Sequence, residues 1–304
     1  MLNEVLEVDV RSLWLGLLAS GCAADKFATG LPCGTVDLGY ASPEEFAIEA
    51  LDRSNCYRDW MGLEPGILDP LLDDASQSHA EYMAGNEAMT HQQDSGLPGF
   101  TGEWVWDRVE TAGFDYVPGL GISEVVAHGY GPAAAVDAWV ASVYHRIPFT
   151  SPYWNSVGFG LSGEFTAMTF ITPFPHGART AVIYPTDGQI DVVPSFDSDW
   201  EVPDPAPDRG VVGMPITVTV ADEVMNGDGQ NPYNLQLVAA TLIGPDGTEV
   251  EVRLSDPSED SHLYQMAVML PLEPLESSSE YEAVMTIEWN GQSETLNTTF
   301  VTSD

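Results

Sequence analysis

The apolar pattern of this chain divides it into a first part rich in helical spacing and a second that only alternates, and that division limits the folds open to it. Between about residues 42 and 146 the apolar residues recur at helical spacing, whereas from about 214 to 301 they alternate with polar ones. Between the two stretches lies EVPDPAPDRG (201–210), a proline-rich polar string with the composition of a semi-rigid connector. A chain of 304 residues with 44% hydrophobic content is long enough to build two cores. The pattern therefore predicts an α+β domain first and an all-β sandwich second.

In the first stretch, Ser42-Pro43-Glu44-Glu45 supplies an N-cap, a proline at the first helical position and a glutamate three residues after the cap. Phe46, Ala50, Leu51 and Tyr57 continue that helix towards Gly62. Asp69-Pro70 opens a second helix, with Leu71, Leu72, Ala75, His79, Tyr82 and Met83 as its apolar stripe. A histidine on such a stripe reads as a hydrogen-bonded packing residue, so His79 stays outside the candidate site. A short helix over about 103–112 is expected to turn Val105, Val109 and Ala112 inward. Residues 122–127 form an apolar inner strand or irregular segment with Glu124 in the middle, where a carboxylate needs a partner. After Pro132, Val136, Trp139, Val140 and Val143 mark a fourth helix that delivers His145 and Arg146 at its end, and Pro148 stops it. Segments 157–161 and 165–171 then make a hairpin around Ser162-Gly163.

His91, Glu124 and His145 stand on three separate predicted elements and are the candidate site. Two imidazoles and a carboxylate could hold a divalent metal such as zinc and leave a coordination position open. They could instead work without metal, Glu124 orienting one histidine for acid–base chemistry. They could also serve as a hydrogen-bonded polar wall that shapes a groove. No H-E-x-x-H or G-x-S-x-G motif decides among these, and no cysteine lies near the three.

Composition removes one class of partner. With 47 acidic residues against nine basic, and Lys26 the only lysine, the surface repels phosphate backbones, so nucleic acid is excluded. The N-terminus reads as an address: the run SLWLGLLASG (12–21) closes on Cys22 like the lipobox of a bacterial lipoprotein. Glu4, Glu7 and Asp9 are acidic where a positive region belongs, whereas a start near Val10 would leave Arg11 in that place. With Cys22 lipidated, Cys33 and Cys56 remain, and both one disulfide and two buried thiols stay open.

The ordered motifs of the first stretch resemble the CAP superfamily, which includes cysteine-rich secretory proteins, antigen 5 and plant pathogenesis-related proteins. Asn55 with Arg58, Gly62-Leu63, and Leu72, Ala75, His79, Ala80 and Met83 resemble its opening. Met89-Thr90-His91 looks like its first cavity histidine, and Ser123-Glu124-Val125 like its Gly-Glu-Asn-Ile segment. Trp139 to Ser142 followed by His145-Arg146 and Val157-Gly158-Phe159-Gly160 is similar to the bacterial branch. The resemblance implies an α-β-α sandwich with a four-residue cavity, of which His91, Glu124 and His145 carry over. The family's second glutamate is replaced by Ser142, and the asparagine after the first by Val125. Together with the lipobox-like run before Cys22, it implies an exported, membrane-anchored protein that binds a small apolar ligand or an extracellular protein or cell-surface component near the His/Glu cluster. The membrane would be reached only through Cys22. The alternative it leaves is a secreted metal-assisted hydrolase using the same cluster, with binding favoured over catalysis.

Beyond the connector, Ile216, Val218 and Val220, then Val250, Val252 and Leu254, then Tyr281, Ala283, Met285, Ile287 and Trp289 alternate as strand faces. Asn290-Gly291 signals a tight hairpin turn. Turns at this spacing, with a closing Phe300-Val301-Thr302 strand, resemble bacterial immunoglobulin-like or fibronectin-like modules. The N-G-D-G run (226–229) lacks the acidic spacing of a calcium loop and reads as a plain loop. The expected layout is a leader at 1–22, an N-terminal segment at 23–41, a CAP-like domain at 42–175, an extension and linker at 176–212 and the sandwich at 213–304.

Overall fold

A computed structural model describes residues 43–304 except 116, 118, 119, 154, 155 and 174–176. The expected leader, Cys22 and Cys33 lie outside the described residues. Cys56, buried in the first helix, is disulfide-bonded.

The first domain runs α1 (Pro43–Trp60), β1 (Ile67–Leu68), α2 (Pro70–Asn86), α3 (Val105–Thr111), β2 (Leu120–His128), α4 (Pro132–Ala141), α5 (Ile147–Thr150), β3 (Ser156–Ser162) and β4 (Phe165–Pro173). Its four strands pair in the order β1-β3-β4-β2, with only β1 parallel to its neighbour. The strand period of two sorts the side chains between two helical layers. Val125, Phe159, Met168 and Phe170 face α1 and α4, packing with Ala47, Ala50, Val136 and Trp139. Ile122, Val126, Ala167 and Ile171 face α2 and α3, packing with Leu72, Ala75, Met83 and Val109. The result is the α-β-α sandwich expected of the fold class.

Helix α2 starts where the sequence signals it: Asp69 accepts a hydrogen bond from the Leu71 amide (2.9 Å), with Pro70 at the first turn. It then lies on β3 at backbone contact. A Cβ on Gly158 would sit 2.0 Å from the Leu72 carbonyl carbon, and one on Gly160 2.3 Å from the Gln77 amide nitrogen. The Val-Gly-Phe-Gly strand thus presents bulk to one layer and bare backbone to the other. Arg58, fully buried, bonds the carbonyls of Glu64, Phe149 and Ser151 and so fixes both loops that flank the sheet.

The second half contributes β5 (Thr180–Tyr184), β6 (Gln189–Val192), β7 (Ser195–Asp197), β8 (Val211–Gly213), β9 (Ile216–Ala221), β10 (Gln236–Ile243), β11 (Val252–Ser255), β12 (Met266–Pro271), β13 (Glu280–Trp289) and β14 (Gln292–Thr302). They form two four-stranded sheets, β10-β13-β14-β6 and β11-β12-β9-β5, and a β7–β8 ribbon. This is the expected β-sandwich. Asn290 and Gly291 both take positive φ (48° and 74°) in the β13–β14 turn, as a primed hairpin turn requires. The 226–229 run is a loop.

Residues 176–212 are not the expected extension and linker. β5 pairs with β9 and β6 with β14, so this stretch supplies one edge strand to each sheet. Strands of four or five residues bracketed by proline and Asp-Gly turns carry too short an alternation to register as a pattern. Even the proline-rich string is docked, with Glu201 and Ala206 buried.

The halves share a core. Tyr57, Trp139 and Phe149 of the first pack in one cluster with Tyr184, Ile216 and Val218 of the second. Val143 packs with Val212, Leu263 and Met266. Arg146, fully buried, reaches across to the Pro215 carbonyl (2.5 Å) and Thr217 hydroxyl while its ε-nitrogen holds the Val140 carbonyl (2.6 Å). Its charge also lies 4.9 Å above the Tyr184 ring.

Candidate functional site

Glu124 belongs to the face of β2 that looks at α2 and α3, and its side chain is only 3% exposed. A carboxylate there needs compensation, and it has two opposite partners. Arg108 Nη2 donates to one oxygen at 2.6 Å and His91 Nδ1 to the other at 3.0 Å. Burial pushes the Glu124 carboxyl up, but the His91 hydrogen bond and the Arg108 charge outweigh it, leaving the pKa below the ordinary value.

Arg108 is buried on α3, and its Nη1 also bonds the carbonyls of His91 (3.1 Å) and Glu103 (3.3 Å). It therefore positions both the carboxylate and the loop carrying His91. The sequence pattern assigned Val105, Val109 and Ala112 to the inward face. Arg108 sits on that same stripe, one turn after Val105, and this spacing is the signal by which it could have been found.

His79 is the hydrogen-bonded core histidine expected, but its place is beside the site. Its Nε2 donates to the Thr90 carbonyl (2.7 Å) and its Nδ1 accepts from the buried Gln93 amide (2.9 Å), with Glu124 at 3.7 Å. Both ring nitrogens are thus satisfied in the neutral form. Burial lowers its pKa to about 4, an effect Glu124 only partly offsets.

His145 is held differently. The fourth helix was expected to carry it, but α4 ends at Ala141 and Ser142 is extended. The physical reason is Glu201, whose buried carboxylate accepts from the amides of Val143 (2.8 Å), Tyr144 (2.7 Å) and His145 (2.9 Å). Those donors would otherwise have continued the helix. The same carboxylate lies 2.8 Å from His145 Nδ1. No sequence signal pointed to Glu201, which belongs to the proline-rich string.

The three predicted residues therefore form two separate pairs, His91 with Glu124 and His145 with Glu201. Glu124 spends both oxygens on Arg108 and His91, and His145 Nδ1 faces Glu201, so the donors for a shared ion are engaged elsewhere. Among the described residues no group of three or more His, Cys, Asp and Glu side chains is placed to hold a metal ion. The set does not fit zinc as a three-ligand site. Glu124 and His145 do meet on the wall of one cavity of about 400 Å³, which Ile122, Val125, Ile147 and Tyr264 also line. His145 borders a second cavity of about 440 Å³ too, beside Trp139, Phe196 and Trp200.

Residues 51–168 match the CAP family, described as the cysteine-rich secretory protein family, and this segment is a CAP domain. Among solved structures, an extracellular protein containing an SCP domain from Bacillus anthracis aligns at 19% identity over 46% of this chain and 47% of that one, with a TM-score of 0.38. An outer surface protein from Borrelia burgdorferi aligns at 17% identity over 44% of this chain and 96% of that one, with a TM-score of 0.36. The chain spans about half the length of the Bacillus anthracis protein. No curated protein matches it.

Proposed function

We propose that this is an exported CAP-domain protein that binds a small, largely apolar ligand in the cavity between its two halves. The observation that carries the reading is the cavity itself. Its volume of about 400 Å³ suits a small molecule, and most of its exposed wall is apolar, with Glu124, His145, Ser151, His262 and Gln265 among the polar groups that could orient a ligand. The apolar run before Cys22 and the secretory character of the family support export, with acylated Cys22 as the anchor. The test is displacement of a dansylated fatty acid and of a fluorescent sterol from the full chain. Ser123→Trp, which fills the cavity from β2, is expected to weaken binding at least tenfold. Absence of saturable binding, or equal binding by this variant, would overturn the reading. An unmodified Cys22 in cell-derived protein, shown by mass spectrometry, would remove the anchor.

One observation favours a second reading, hydrolysis without a metal. Glu124 fixes His91 Nδ1, and the ring is 47% exposed, so Nε2 is available as an oriented base. Turnover of an ester, peptide or glycan panel that disappears in Glu124→Gln, with the fold retained, is its signature. A panel with no Glu124-dependent turnover ends it.

A further inference from the structure

Three of the four exposed aromatic side chains among the described residues, Phe100, Trp104 and Trp106, fall within one stretch of seven. Exposing such rings costs solvation that a folded chain normally avoids. Trp104 and Trp106 stack on each other, centroids 5.5 Å apart and planes 20° from parallel, at 38% and 47% exposure. Beside them lies a third cavity of about 430 Å³, away from the one assigned above. Phe100 is its one large apolar wall, and Thr90, Gln92, Asp94, Ser95 and Glu103 supply the polar ones.

The chemistry of this surface is selective. No lysine or arginine occurs in 89–107, Arg108 is buried, and Asp94 and Glu103 stand on the wall, so the surface disfavours an anion. The walls are too polar for a lipid. Acidic groups would suit a cation, but Glu103 and Asp94 are the only carboxylates on this wall, and among the described residues no group of three or more His, Cys, Asp and Glu side chains is placed to hold one; each keeps an oxygen beyond those bonded to the Gln92 amide (2.7 Å) and the Gly96 amide (2.8 Å). What remains is a mixture of hydroxyls, an amide and carboxylate oxygens, able to give and receive hydrogen bonds. A ligand with hydroxyls along its edge and polarised C–H bonds on its faces matches both halves of the surface. A pyranose ring has that construction.

We propose that the 89–106 segment, the loop before α3 together with the first turn of that helix, is a binding surface for a neutral glycan, distinct from the cavity between the domains. The polar cavity takes the hydroxyl edge of one sugar, and the Trp104–Trp106 pair stacks on an adjoining ring. The surface is preorganised, which weak sugar contacts require. Gln93, buried, accepts from the Thr101 amide (2.8 Å), and Asp107 accepts from the Trp104 amide (2.9 Å). Gly102 closes the loop onto α3, where a Cβ would meet the Arg108 amide nitrogen at 2.7 Å. Arg108 ties the Glu103 carbonyl to the His91 loop, so the surface is braced by the same side chain that clamps Glu124.

The experiment uses the full chain in native affinity electrophoresis through gels containing glucomannan, xylan or hydroxyethyl cellulose. Calorimetry with cellohexaose and chitohexaose accompanies it. Retardation by at least one polysaccharide is expected, with association falling at least tenfold in Trp104→Ala/Trp106→Ala and in Gln92→Leu. Fatty-acid displacement should be unchanged in both variants, which separates this surface from the cavity between the domains. If the double variant melts early, Phe100→Ala, an exposed loop change, decides the matter. No retention by any of these glycans, or equal retention by the variants, overturns the proposal.

Discussion

Replacing Arg108 by methionine tests how the site is held together. The guanidinium is 1% exposed and the Glu124 carboxylate 3%, so the change strands a buried charge with His91 as its remaining hydrogen-bond donor. It also takes a donor from the carbonyls of His91 and Glu103. Breaking one side of such a pair costs about 3–5 kcal/mol. The apolar pair Arg108→Met/Glu124→Leu removes both charges and should return to within about 2 kcal/mol of wild type. Urea unfolding followed by tryptophan fluorescence at pH 7 measures both. Acid supplies an independent check. In the wild type the Glu124 pKa is lowered, so its stabilising contribution is full above the ordinary value of 4.5 and is lost as pH falls through the folded value. Without Arg108 burial dominates and raises that pKa, and protonation then relieves the penalty. The gap between variant and wild type should therefore narrow as pH falls from 7 towards 4.5. A loss under about 1 kcal/mol, a gap that widens on acidification, or a double variant as unstable as the two singles summed would refute the reasoning.

At Gly158, where a Cβ would sit 2.0 Å from the α2 backbone, alanine should destabilise by about 3 kcal/mol or more. At Gly85, where a Cβ meets nothing within 4 Å, alanine should stabilise by about 0.5–1 kcal/mol; melting curves of the two variants should move in opposite directions. His79, neutral in the fold with a pKa of about 4 against 6.5 for the free group, makes stability fall as pH drops from 6.5 to 4. The loss is on the order of 3 kcal/mol, and His79→Gln should flatten the pH profile of the melting temperature in that window. Glu201→Ala leaves three backbone donors of residues 143–145 without their acceptor, costing at least about 3 kcal/mol. Limited proteolysis of that variant should cut at 142–146 and 198–210, where wild type resists.

Local rules explain what was legible. Asp69-Pro70, the Val-Gly-Phe-Gly strand and Asn290-Gly291 each act within a few residues, and each element formed where its signal stood. The need of Glu124 for a partner was also readable, because an apolar strand leaves a charge no other course. Its choice of Arg108 and His91 over His145 was not, because that depends on how α3 and the His91 loop pack against β2. Glu201 lay further out of reach. Composition marks its string as a connector, and only the folded arrangement brings it under the amides of 143–145. The short strands β5 and β6 were missed for a related reason, since their pairing partners lie in the sandwich.

The match to the family ends at Met168, halfway along β4, but the physical unit does not end there. A gene fragment cut behind the sheet would place Arg146 in water without the Pro215 carbonyl, strip His145 of its carboxylate and bare the Tyr57 ring where the edge of Tyr184 had packed against it. Shuffling this CAP segment onto another scaffold is therefore not a neutral act of recombination. The two halves must be inherited together, and substitutions in the β12 approach around Tyr264 can reshape a cavity whose other wall belongs to the family domain.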